Sequence, residues 1–103
     1  MIIDKLTNSA RQQLTYILST NEEIILKLEY KVRISKWSLS IEYKDKIINN
    51  ILITSSIDNI LYQYDRILPF KLRCNTTTGF SPYFIDDFIN GNNNLEIIED
   101  GEE

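Results

Sequence analysis

Asp86 and Asp87 form the one adjacent acidic pair with aromatic neighbours, in the run Tyr83-Phe84-Ile85-Asp86-Asp87-Phe88. Two carboxylates are the raw material of acid–base catalysis or of a hard-cation site. On a helix, however, adjacent residues diverge by about 100°, so this pair does not face a common substrate. Mg²⁺ or Ca²⁺ also wants more oxygens than these two supply. The pair reads as a solvated helix face open to a partner, with Asp86 favourably placed near the helix N-terminus. A basic stripe, Lys27, Lys31, Arg33 and Lys36, is interrupted by Glu29 and reads as the solvated face of a strand. Lys27, Lys31, Arg33, Asp86 and Asp87 are therefore the candidate partner contacts.

Other chemistry falls by elimination. The chain has no His and a single Cys, Cys74. Zinc ligation by Cys and His, a Ser-His-Asp site and a Cys-His site all need residues that are absent. None of the three glycines lies in a phosphate-cradling array. A non-enzyme without a cofactor is the expectation. Cys74 shares its face with Leu72 and Phe70 and reads as a buried, inert thiol. Trp37, Tyr30, Tyr43, Tyr16 and Phe70 could line a base-stacking platform, but they share strand faces with Leu and Ile and read as core. A net charge of −4 also argues against a phosphate-backbone partner.

The elements that position these residues follow from periodicity. Leu26, Leu28, Tyr30, Val32 and Ile34 alternate with Lys27, Glu29, Lys31 and Arg33, the period of a half-buried strand. Trp37, Leu39, Ile41 and Tyr43 resume the alternation, and Lys44-Asp45-Lys46 reads as a turn. Residues 47–54 are a third strand interrupted by Asn49-Asn50. Residues 13–18 form a hairpin with the segment from Glu23, residues 68–74 another strand, and residues 95–98 a short last one. Two helices are expected. Residues 57–64 carry apolar side chains at 57, 60, 61 and 64, with Ser55 or Ser56 as cap. Pro82 to Asn90 is bounded by Ser81 as N-cap and Gly91 at the C-terminal stop, stapled by Phe80 and Ile85, and docked by Phe84 and Phe88.

At 103 residues the chain is expected to be one domain, with 1–9 as an N-terminal segment and 99–103 as an acidic, flexible tail. The fold class is mainly β, a small antiparallel β-barrel or sandwich with one or two short helices. No apolar run approaches the roughly 20 residues of a membrane span. Met1-Ile2-Ile3-Asp4-Lys5 lacks the marks of a signal peptide, so cytoplasmic synthesis is expected. Ile occurs 18 times against one Val and one Ala, a bias of the kind A/T-rich coding imposes. Charge is uneven: residues 1–52 hold eight Lys/Arg and six Asp/Glu, a net of +2, and residues 53–103 hold three and nine, a net of −6.

The order of elements resembles the small baseplate plug proteins of contractile-tailed bacteriophages. The matching residues are Gln13, the 24–34 strand, Trp37-Ser38-Leu39-Ser40-Ile41, Leu68-Pro69-Phe70, and Ser81-Pro82 with Asp86-Asp87-Phe88 and Leu95. They span about residues 10–98. The resemblance implies a structural virion protein at the axial end of the tail tube. Its partners would be tail tube and baseplate hub proteins, or further copies of itself, with no nucleic acid and no membrane. A cytoplasmic β-barrel module for single-stranded nucleic acid or a protein, and a minor carboxylate enzyme, stand as alternatives from other classes.

Overall fold

The computed structural model describes residues 2–3, 6–55, 58–64 and 66–100. Two antiparallel sheets face each other as a small β sandwich. One sheet runs in the order β2-β3-β4-β5: β2 (Arg11–Ile17), β3 (Glu23–Lys31), β4 (Lys36–Tyr43) and β5 (Lys46–Leu52). The other runs β1-β7-β6: β1 (Ile2–Ile3), β7 (Asn93–Glu99) and β6 (Phe70–Thr76). The inward residues are those the alternation marks. Ile24, Leu26 and Leu28 of β3, and Trp37, Leu39, Ile41 and Tyr43 of β4, meet Phe70, Leu72, Cys74, Leu95 and Ile97 in one core. Tyr43 and Phe70 pack edge to face across the two sheets at 5.9 Å. Trp37 is fully buried, as a core aromatic should be.

The turns explain the boundaries. Lys31 pairs with Lys36, so residues 32–35 close the β3–β4 hairpin, with Ser35 at φ 52°. The expected strand through Ile34 therefore ends three residues sooner, and Val32, Arg33 and Ile34 turn out to solvent. The alternation continued past the strand because a four-residue hairpin loop leaves no mark in periodicity when its residues happen to be apolar and charged in turn. Lys44, at φ 55°, sits in the tight turn that brings Tyr43 opposite Lys46. Asn49-Asn50 is a bulge: the register slips between Leu39 and Ile41, and Asn50 takes φ 59°, a conformation Asn tolerates. Ile2–Ile3, expected to lie in an N-terminal segment outside the strands, adds β1 beside β7, and Ile3 is buried.

Neither expected helix forms. Of the first, residues 56 and 57 lie outside the described residues, and Tyr62–Tyr64 is a single 3₁₀ turn. Asn59 accounts for this: its Oδ1 accepts from Leu61 N at 2.9 Å and from Leu72 N at 3.1 Å, tying the segment to β6. The second, Pro82 to Asn90, is a chain of turns. Its backbone groups are claimed by side chains from elsewhere, so the local preference is overridden. Of the tail, residues 101–103 lie outside the described residues, while Glu99 closes β7 and takes the Ser19 N–H and hydroxyl at 2.8 Å.

Candidate partner interface

The segment from Phe80 to Phe88 crosses one end of the sandwich, beside the β3–β4 turn and the end of β5. Four side chains hydrogen-bond its backbone, and the Ser81 hydroxyl ties it to Ser55. Asn93, buried at the start of β7, donates from Nδ2 to the Phe80 carbonyl at 3.0 Å. The Tyr30 hydroxyl donates to the Tyr83 carbonyl at 2.8 Å. Trp37 Nε1–H donates to the Phe84 carbonyl at 3.2 Å. Asp87 Oδ2 accepts the Tyr83 and Phe84 N–H groups at 2.7 and 2.8 Å. The Ser81 hydroxyl accepts from Ser55 N at 2.9 Å and does not cap a helix.

The side chains carried by this fixed backbone point outward. Phe80 is 64% exposed and Phe84 57%, and Tyr83 is also exposed. Tyr83 and Phe84 lie 4.3 Å apart between ring centroids, and Phe80 packs edge-on to Tyr83. Phe84 thus does not dock on the sheet as expected. Phe88 does, edge-on to Trp37 at 5.2 Å. Exposed Val32, Ile34 and Leu52 lie on the neighbouring turn and strand end. Single exposed apolar residues are ordinary; here several gather at one end of a small domain, which makes it the candidate interface.

The acidic pair divides. Asp86 is exposed, but Asp87 is 1% exposed and is not part of a solvated face. Its second oxygen, Oδ1, accepts from Asn92 Nδ2 at 3.2 Å. A buried carboxylate is tolerated where such donors converge on it. Asp87 holds the aromatic segment from inside and offers almost no surface.

The basic stripe is not one surface either. Lys27 pairs with Glu42 at 2.8 Å on the outer face of the four-stranded sheet. Lys31 shares Glu29 with Arg11, both at 3.3 Å. Arg33 stands apart in the hairpin turn. Arg33 and Lys36 form no ion pair with a described residue, so they are the cations left available at the aromatic end. Elsewhere on the outer faces, Glu96 is held below the usual carboxylate range, first by the hydrogen bond from Arg73 and then by Asn75.

Cys74 lies in the core, and burial pushes its thiol up to about 11. No group of three or more Cys, Asp or Glu able to hold a metal ion occurs among the described residues. The aromatic cluster is what sequence reasoning missed. Its signal was there: three aromatics within five residues, Phe80 to Phe84, flanked by Gly79 and broken by Pro82, with no strand period. Both Gly79 and Gly91 take φ 85°, bounding the segment as turns. No protein-family model and no curated protein matches the chain.

Proposed function

We propose that this chain works by assembly and not by chemistry, as a structural component of a phage tail baseplate that plugs or completes the axial end of the tail tube near the hub. The observation that carries the reading is the aromatic segment: its backbone is held by Asn93, Tyr30, Trp37 and Asp87 while Phe80, Tyr83 and Phe84 face solvent. Binding energy in protein interfaces concentrates in such aromatic anchors, and a surface already ordered avoids the entropy of ordering on contact. A domain that holds large apolar side chains outward on a fixed frame is built for a partner. The baseplate identity of that partner rests on the resemblance in element order, and the sandwich with its outward aromatics is compatible with it.

A second reading, a module for single-stranded nucleic acid, draws on the same exposed rings, because bases stack on aromatics beside cations. The overall charge of −4 and the paired state of Lys27 and Lys31 weigh against it.

Mass spectrometry of purified tail particles from the source phage, with the chain quantified against the tube protein, tests the proposal. A fixed ratio retained through gradient purification is expected. Particles that assemble and infect without the chain would contradict it.

A further inference from the structure

Beside the aromatic cluster lies an open groove of about 330 Å³, lined among others by Ile34, Lys36, Leu52, Phe80, Pro82 and Tyr83. Its walls come from three separate parts of the chain: the β3–β4 turn, the end of β5 and the fixed 80–83 segment. It is at the small end of the range for ligand sites, and it is open, which suits one or two side chains of a longer molecule better than an enclosed metabolite.

Two features define the occupant. The first is charge. Lys36 lines the groove and Arg33 stands in the adjoining turn, both exposed, and neither forms an ion pair with a described residue. The exposed carboxylate of the aromatic segment, Asp86, is not in the lining. The rim is therefore positive on a molecule that is negative overall. Complementary potential selects the partner and its orientation. The second is the sheet edge. β5 ends the four-stranded sheet and, among the described residues, has a neighbouring strand on one side only, and its last residue, Leu52, reaches the groove. An extended chain is what a free strand edge accepts.

We infer that this groove takes an extended segment of a partner protein in which apolar side chains alternate with carboxylates. The apolar side chains enter between Ile34, Leu52 and Tyr83, and the carboxylates meet Arg33 and Lys36. The inference deepens the assembly reading and rests on it for the biological partner, while the groove's selectivity is a property of the isolated chain.

The test titrates the full-length ¹⁵N-labelled chain with the acetylated, amidated peptide Glu-Leu-Glu-Phe-Glu-Leu-Glu. Its Lys-substituted counterpart and oligothymidylate are the comparison probes. Amide shifts at 34–36, 52–54, 80, 81 and 83 are expected with the acidic peptide, with binding at least about tenfold weaker for the basic one. The double variant Arg33→Glu/Lys36→Glu should lose about tenfold for the acidic peptide and keep a native spectrum, because both side chains are exposed and unpaired with described residues. Equal affinity for both peptides, shifts confined to the outer sheet face, or tighter binding of oligothymidylate would overturn the inference. So would shifts at the groove on raising protein concentration alone, since a second copy would then be the occupant. If the acidic peptide binds but tail particles lack the chain, the virion reading fails and the groove assignment stands. If particles hold the chain and the peptide does not bind, the reverse follows.

Discussion

The indole Nε1–H of Trp37 reaches the carbonyl of Phe84 at 3.2 Å, joining a fully buried residue at the start of β4 to one that is itself mostly exposed. One side chain serves the core and the display surface together. Removing it therefore tests both.

Trp37→Ala should destabilise the domain by about 3–5 kcal/mol, from lost transfer energy and the cavity left beside Tyr30 and Phe88. Urea denaturation with unchanged m-value measures it. A loss under about 1 kcal/mol would mean the core does not depend on this ring.

Asp87→Ala should cost about 2–3 kcal/mol, because the Tyr83 and Phe84 N–H groups lose a charge-assisted acceptor. Asp86→Ala, one residue away but exposed, should stay within about 0.5 kcal/mol. Equal effects for the two would show that the carboxylate clamp does not hold the segment.

The contrast between these neighbours shows what the sequence could convey. Alternation marked the inward faces of β3, β4 and β6, since a half-buried strand writes its period directly into residue type. It misplaced the 32–34 turn, whose residues mimic a continuing strand. The expected 82–90 helix had a cap, a staple and a stop, all local signals. What defeated them was distant: Tyr30 and Trp37 capture the Tyr83 and Phe84 carbonyls from other strands, and Asn93 captures the Phe80 carbonyl just ahead of the segment. The same distant contacts build the candidate interface, so sequence spacing could not reveal which aromatics face outward. The ion pairs of Lys27 with Glu42 and Lys31 with Glu29 were hidden for a like reason, because strand register and neighbouring pairs set their partner carboxylates.

Glu96 titrates below an unfolded glutamate, whose value is near 4.5, chiefly through Arg73. A depressed carboxylate contributes stability above the unfolded pKa and loses it as pH falls through the lower folded value. Arg73→Met should therefore flatten the acid-side decline of stability below about pH 4.5. Stability followed by denaturation from neutral to acid pH checks this, and an unchanged acid limb would exclude the pair as its source.

The Cys74 thiol, pushed to about 11 by burial, stays protonated near neutrality. A raised thiol pKa means stability present below the unfolded value of about 9 and declining as pH rises towards 11. Ellman's reagent at about pH 8 should react only at the rate of unfolding. Fast labelling of the native chain would show an open thiol.

The central claim is that Phe80, Tyr83 and Phe84 meet a partner. A photoreactive benzoylphenylalanine at position 84, incorporated during particle assembly and irradiated, tests it most directly, with position 27 on the outer sheet face as comparison. The account predicts a crosslink from position 84 to a tube or hub protein and little from position 27. Crosslinking from 27 with none from 84 would contradict it.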